Sequence, residues 1–182
     1  MSENGITIFL SLAIFVALVV MFIRKNRDKA NADPQAVMNV LKELGSDYDI
    51  VTDVVVPGDR GMFDLGNVLI SPYGVFVITV KRNRGKILGR EGDREWEVKS
   101  GRQKDLIFNP LWENRKHVNA LEKVIGPTPF ISVVVFPSGK LKGDFGENVM
   151  GLGGLKNFIA QNKTSRLSKD RRDEIIKALQ KR

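Results

Sequence analysis

Two short, largely apolar runs at 68–70 and 75–80 flank the turn sequence Ser-Pro-Tyr-Gly at 71–74. Runs of this length, rich in β-branched residues and bounded by turn residues, are typical of buried strands and not of helices. Pro72 fixes φ at a turn position and Gly74 can adopt positive φ, so the chain is expected to reverse there. The pattern predicts a buried β-hairpin, around which the other elements are arranged.

The remaining strand-like segments lie on both sides of this hairpin. Apolar and β-branched runs predict strands at 49–57, 64–71, 75–81 and 130–136, and a short strand at 147–150. The segments 85–89 and 95–99 flank Glu91-Gly92-Asp93 and predict a second hairpin that extends the same sheet. Trp96 is expected to pack on that sheet.

Helical spacing of apolar residues, together with capping signals, predicts four helices after residue 32. They begin at Asp33-Pro34, at Asn109-Pro110, near Gly153 and at Ser168. The order of helices and strands predicts an α/β domain with a mixed sheet between helices.

Residues 6–23 carry no charged side chain over 18 positions, near the lower limit for a helix that crosses a membrane. Basic residues follow this run closely, and the positive-inside rule then places the N-terminus outside and the rest of the chain in the cytoplasm. A cleaved signal peptide is the competing interpretation. It is disfavoured because the basic residues follow the apolar run and no small-residue cleavage site closes it.

The prediction is therefore a single-pass protein of the cell's inner, cytoplasmic membrane, held in the lipid bilayer by residues 6–23. Its segments are an extracytoplasmic N-terminus at 1–5, the transmembrane helix at 6–23, a basic tether at 24–33, a cytoplasmic domain at 34–162 and a basic C-terminal helix at 163–182. The 182 residues include no cysteine, which excludes a disulfide framework. The formal charge of +8 is concentrated at 24–29 and 163–182, where anionic lipid and a solvated helix account for it without nucleic acid.

The hairpin sequence, Leu-Gly-Asn-Val-Leu-Ile-Ser-Pro-Tyr-Gly-Val-Phe-Val-Ile-Thr-Val-Lys-Arg-Asn-Arg-Gly at 65–85, resembles the nuclease-related domain (NERD) family of the PD-(D/E)XK nuclease superfamily. Members of that family read roughly I-D-H, a hydrophobic run, then S-P-x-G-V-F-V-I-E-x-K-N-x-x-G. The run Asn-Pro-Leu-Trp-Glu-Asn at 109–114 is similar to a second family motif, whose Gln stands where this chain has Glu113. The resemblance covers about 34–160 and implies a restriction-endonuclease-like fold.

The resemblance also implies where active-site residues would stand. The family's Asp falls on Gly66, its Glu on Thr79, and its Lys is retained as Lys81; a further acid of the first helix falls near Pro34-Gln35. Cleavage by this superfamily needs carboxylates that hold Mg²⁺, because hard cations prefer oxygen ligands. The altered positions imply a catalytically inactive domain without a cofactor.

Two alternatives stay open at this point. Asp64 and Glu113 could join Lys81 in a displaced Mg²⁺ site, with His117 one helical turn beyond Glu113; a structural hydrogen bond is the favoured role for that histidine. Cations after the hairpin could instead bind a nucleic-acid backbone without cleaving it, or protect a sheet edge: Lys81, Arg82, Arg84, Lys86 and Arg90. No platform of interleaved aromatic residues is evident in the sequence to support binding of single strands.

The favoured hypothesis is a docking, accessory or regulatory subunit of a membrane-associated complex. The tether at 24–33 reaches about 35 Å at most when fully extended. We therefore expect protein partners at or in the membrane, and nucleic acid only under the alternatives.

Overall fold

The computed structural model describes residues 15–16, 34–59 and 61–180. The predicted N-terminus, transmembrane helix and tether lie outside the described residues except for 15–16, so they stay predictions. Within the described ranges, no helix is both long enough and apolar enough to cross a membrane.

Residues 34–59 and 61–180 form four helices and nine strands. The helices are α1 (Pro34–Lys42), α2 (Pro110–Ile125), α3 (Leu152–Gln161) and α4 (Lys169–Gln180). The strands are β1 (Asp49–Gly58), β2 (Gly61–Ser71), β3 (Gly74–Val80), β4 (Gly85–Leu88), β5 (Glu95–Ser100), β6 (Gln103–Phe108), β7 (Phe130–Phe136), β8 (Gly139–Leu141) and β9 (Val149–Gly151). The predicted strands over 49–57, 64–71, 75–81 and 130–136 are confirmed with shifts of a few residues at their ends.

The main sheet has the strand order β1-β2-β3-β7-β9. Strands β1, β2 and β3 pair antiparallel, whereas β7 is parallel to both β3 and β9. Alternate residues of the central strands point to opposite faces, since successive side chains of a strand alternate. Val68 and Val77 pack with α2 and α4 on one face, and Leu69 and Phe76 pack with α1 and α3 on the other. The predicted mixed sheet between helices is confirmed.

The prediction that the second hairpin extends this sheet is wrong. Strands β4 and β5 form a separate four-stranded sheet with two strands that were not predicted, in the order β6-β5-β4-β8. Its inward residues Ile87, Trp96 and Val98 have their own hydrophobic cluster with Phe136 and Phe145. The same cluster includes Val134 of β7 and Val149 of β9, so the small sheet packs against the β7–β9 side of the main sheet.

Trp96 packs in this cluster, in agreement with the prediction that its ring packs on a sheet. Its ring centroid lies 4.5 Å from that of Phe145, and its indole N–H donates to the Arg90 carbonyl at 2.9 Å. An indole that is completely buried needs such an acceptor.

The turn between β2 and β3 confirms the predicted chain reversal. Ser71 pairs with Gly74, the Ser71 hydroxyl donates to the Gly74 carbonyl at 3.1 Å, and the Tyr73 N–H donates to that hydroxyl at 3.2 Å. The Pro72 carbonyl accepts from the N–H groups of Arg166 and Leu167 at 2.8 and 2.9 Å. The turn therefore also fixes the connection between α3 and α4.

Gly74 has a φ of +145°, and a Cβ at this position would lie 2.6 Å from the Pro129 carbonyl oxygen. We expect Gly74→Ala to lower the free energy of unfolding by about 2 kcal/mol, because both the dihedral and the contact disfavour a side chain. Urea unfolding measures the change. Gly153→Ala in α3 is the matched control: it adds a methyl group in open space within a helix and should be neutral or slightly stabilising.

Candidate functional site

A cleft opens where strands β2 and β3 separate. The two strands pair only from Val68–Val77 to the turn, while β3 continues to pair with β7 as far as Val80. Residues 64–67 of β2 and 78–80 of β3 therefore form opposite walls of a fork. The fork encloses about 230 Å³, and its rim is completed by Pro34, Arg82, Glu113 and His117.

Two compensating bulges shape the β2 side of this fork. The β1–β2 register shifts between Val51 and Val54 and shifts back between Val54 and Val55. Asp53 and Gly66 take positive φ values of 55° and 62°. Bulges bend and twist a strand and are common next to active sites.

The register shifts interrupt the alternation along β2, because Leu65 and Val68 are three residues apart and still belong to the same hydrophobic cluster. Leu65 is buried between Asp64 and Gly66, and all three contribute to the cleft wall. One carboxylate oxygen of Asp64 accepts a hydrogen bond from the Gly66 N–H at 2.8 Å. Asp64 thus stabilises the left-handed turn at Gly66.

Thr79 forms the opposite wall and belongs to a buried hydrogen-bond network. The Asn114 side-chain amide donates to Thr79 Oγ1 at 3.0 Å and to the carbonyls of Val77 and Val133 at 2.8 and 3.2 Å. The Ser132 hydroxyl donates to Asn114 Oδ1 at 2.6 Å. Asn114 is completely buried, so this network joins α2 to β3 and β7.

Lys81 and Glu113 form an ion pair at the rim, with 2.7 Å between Nζ and Oε2. Their side chains are 20% and 35% exposed, so water only partly screens the pair. Glu113 lies in the first turn of α2, where its charge also suits the helix dipole. The charge of Lys81 is therefore balanced within the protein.

His117, the only histidine of the chain, lies one turn beyond Glu113. Its Nδ1 is 3.4 Å from Thr79 Oγ1, and its ring centroid is 5.5 Å from that of Phe63. Burial holds the pKa of His117 below its ordinary value, and Lys81 acts in the same direction; Glu113 and Asp64 oppose them. A neutral imidazole can accept from the Thr79 hydroxyl, whose oxygen already receives the Asn114 amide.

The structure brings together the positions at which the resemblance places active-site residues. Gly66 and Thr79 line opposite walls of the fork, Lys81 is at its rim, and Pro34 closes it where the further acid was expected. The five cations that follow the hairpin do not form one group. Arg82 lines the fork with Lys81 nearby, whereas Lys86 lies in β4 of the small sheet and the backbone of Arg90 forms an isolated parallel β-bridge with that of Asp144.

The residues present do not fit a magnesium ion. Gly66 and Thr79 supply no carboxylate, Asp64 is engaged by the Gly66 N–H, and Glu113 is neutralised by Lys81. In the ranges 34–59 and 61–180, no three His, Cys, Asp or Glu side chains are grouped so that they could hold a metal. A displaced site would require Glu113 to leave Lys81.

Sequence reasoning missed the part played by Asn114. Asn114 is the second asparagine of the run Asn-Pro-Leu-Trp-Glu-Asn, and its place in that motif was the signal that could have identified it. The first asparagine caps α2 by accepting from the Leu111 N–H at 2.9 Å, as predicted, and its amide also donates to the Glu91 and Asp93 carbonyls at 2.9 and 2.6 Å. The contact between Phe63 and His117 had no signal, because it joins residues far apart in the chain.

Comparison with known proteins adds three findings. Residues 29–137, more than half of the chain, match the model of a protein family described as nuclease-related domain. A relative, the uncharacterized protein pXO1-01 of Bacillus anthracis, is 31% identical over 118 residues, which are 63% of this chain and 56% of the relative. The chain thus spans little more than half the length of that relative. No solved structure gives a significant match.

Asn114→Ala is expected to lower the free energy of unfolding by about 3 kcal/mol, because it leaves several buried polar groups without their partner. Asn119→Ala on the same helix removes an exposed amide and is the matched control. Chemical denaturation of both variants measures the difference. Equal losses would show that the buried network contributes little.

His117 is expected to titrate below 6.5, the ordinary value for histidine. The unfolded chain then binds a proton more readily than the folded one, so this contribution to stability is complete above about pH 6.5 and is lost as the pH falls. With one histidine in the chain, its imidazole NMR signals give the pKa directly. Glu113→Gln should lower that pKa further, whereas Glu122→Gln, an exposed change on the same helix, should leave it unchanged.

Proposed function

The chain belongs to the nuclease-related domain family, and we propose that it is a nuclease-like domain that does not cleave nucleic acid. It acts instead at the cytoplasmic face of the cell's inner membrane as a docking, accessory or regulatory subunit of a membrane-associated complex. The chemistry of the fork carries the first part of this proposal, and the N-terminal sequence with the exposed surface beside the fork carries the second.

The observation that supports inactivity is the pairing of Lys81 with Glu113 at 2.7 Å. A divalent ion is held by carboxylate oxygens, and Lys81 occupies the Oε2 atom of Glu113. Here the two groups satisfy each other. The hydroxyl of Thr79 is likewise engaged by Asn114, so the fork retains a shape without the charges for hydrolysis.

A ribbon beside the fork supports the docking role. The part of β2 that precedes Val68 pairs with β1 alone and forms a two-stranded extension, in which Pro57 pairs with Met62. Met62 is 61% exposed and Val55 is 39% exposed. Exposed apolar side chains next to an open cleft are suited to contact with a protein partner.

The second candidate function is a metal-dependent DNA nuclease with displaced acids. The observation in its favour is that Asp64 and Glu113 line the same cleft. The wild-type protein is expected to leave single- and double-stranded DNA intact in Mg²⁺ or Mn²⁺. Cleavage that disappears in Asp64→Ala or Glu113→Ala would contradict inactivity and establish the nuclease.

The docking role is tested by purifying the full chain in detergent and measuring co-purification of a membrane partner at fixed stoichiometry. Met62→Glu should release that partner, because it places a charge in the proposed contact. Asn157→Glu on α3 is the control with the same new charge and should retain it. Salt-sensitive retention of DNA that is lost on charge reversal at Arg82 and Arg84, with no partner released by Met62→Glu, would favour a nucleic-acid-binding module.

A further inference from the structure

Four lysines stand in register across the small sheet. Lys86 of β4 pairs with Lys99 of β5 on one side and with Lys140 of β8 on the other, and Lys99 pairs with Lys104 of β6. Residues paired in register lie on the same face of a sheet, and adjacent strands are about 4.8 Å apart. The four side chains therefore form a lysine row across the whole width of the sheet. Like charges directly opposite each other destabilise a sheet unless an anion lies close to them.

The lysine row lies on the outer face of the small sheet. Its strand neighbours Ile87 and Val98 point inward into the hydrophobic cluster, so the lysines point away from it. The carboxylates facing outward on these strands are Glu95 and Glu97. Glu97 pairs with Lys99 at 2.9 Å and lies 3.9 Å from Lys104, and this hydrogen bond to Lys99 lowers its pKa. Two carboxylates cannot neutralise four ammonium groups.

Large apolar side chains share this outer face. Leu106 pairs with Glu97 and is 67% exposed, and Phe108 pairs with Glu95 and is 39% exposed. Trp112, at the start of α2, lies 5.9 Å from the Phe108 ring, and Lys116 Nζ lies 5.0 Å from the centroid of that ring. This patch was not predicted from the sequence, because β6 was not predicted and its outward residues could not be assigned.

A hollow at the lysine row has the size and lining of a binding site for a phosphate-bearing headgroup. It encloses about 390 Å³ and is lined by Gly85, Lys86, Lys99, Ser100, Gly101 and Lys140. Three lysines and a serine line this hollow, and lysine and hydroxyl side chains suit a phosphate-bearing group, although the Lys99 ammonium also pairs with Glu97. Aromatic and basic side chains on one surface are typical of the membrane–water interface, where rings lie at the headgroup level and lysines meet anionic lipid.

We infer that the outer face of the small sheet, formed by the lysine row with Leu106, Phe108 and Trp112, rests on an anionic lipid surface. Charge complementarity selects an anionic partner, and the exposed apolar side chains select one with an apolar layer beneath its charges. The choice of lipid over nucleic acid rests on the membrane anchor in the proposed function. The face would hold the domain flat against the bilayer and leave the fork and the β1–β2 ribbon free for a partner.

The full chain contains no cysteine, so single labelling sites can be introduced cleanly. Leu106→Cys carries an environment-sensitive dye on the proposed face, and Asn157→Cys carries it on α3, which packs against the main sheet. Each labelled chain is reconstituted into vesicles of phosphatidylcholine alone or mixed with phosphatidylserine. A blue shift at residue 106 only in the mixed vesicles, with none at residue 157, is the expected result.

Changing the four lysines of the row to glutamine should abolish the blue shift at residue 106. The ratio of molecules whose outer face contacts the lipid to molecules whose outer face does not should fall more than tenfold. Each cation near an anionic surface contributes a factor of about five. The matched control changes Lys42, Lys163, Lys169 and Lys177 to glutamine, which removes the same charge from exposed positions elsewhere and should leave the shift intact. Circular dichroism verifies that both variants are folded.

The same spectra at residue 106 in both kinds of vesicle, or equal shifts at residues 106 and 157, would overturn the inference. So would a shift produced in neutral vesicles by a single-stranded oligonucleotide, which would assign the face to nucleic acid. Failure of the chain to float with neutral vesicles would instead refute the membrane anchor, and the response of residue 106 to anionic vesicles would still decide the role of the face.

Discussion

The fully buried amide of Asn114 is the constraint on which the arrangement of the site depends. It donates to groups of β3 and β7 and accepts from Ser132, so it fixes how far α2 is rotated about its own axis. Glu113 precedes Asn114 directly and His117 follows less than one turn later. Once the rotation of the helix is fixed, the first of these meets Lys81 and the second meets Thr79. A polar group without partners in this interior would be costly, which restricts the helix to that rotation.

The central layer could be predicted from sequence because its signals are local. The runs at 68–70, 75–80 and 130–136 are apolar and β-branched, and Asn109-Pro110 marks the start of a helix within a few residues. The division into two sheets could not be predicted in the same way. It depends on the pairing of β4 with β8, more than 50 residues later in the chain, and β8 has only three residues. A three-residue strand carries no periodicity from which its partner could be inferred.

In the candidate site, too, the features with local signals could be predicted and the long-range ones could not. The family resemblance assigned Gly66, Thr79 and Lys81 to one place, and helical spacing put Glu113 and His117 on one side of α2. The two groups are brought together by long-range features of the fold. These are the two bulges between β1 and β2, and the separation from β3 of the part of β2 that precedes Val68. Leu65 and Val68 share a hydrophobic cluster although they are three residues apart, because a bulge adds a residue without a local signal in the sequence.

The shape of the fork and its chemistry have separate physical origins. Strand separation, bulges and the Asn114 network maintain the fork, and none of them requires a carboxylate at 66 or 79. Glycine at 66 and threonine at 79 are therefore compatible with the fold, and Lys81 and Glu113 at the rim pair with each other. This is why membership of the family specifies the architecture more firmly than the activity. The proposed function uses this independence, because a cleft whose shape does not rely on catalytic groups can serve as a binding surface.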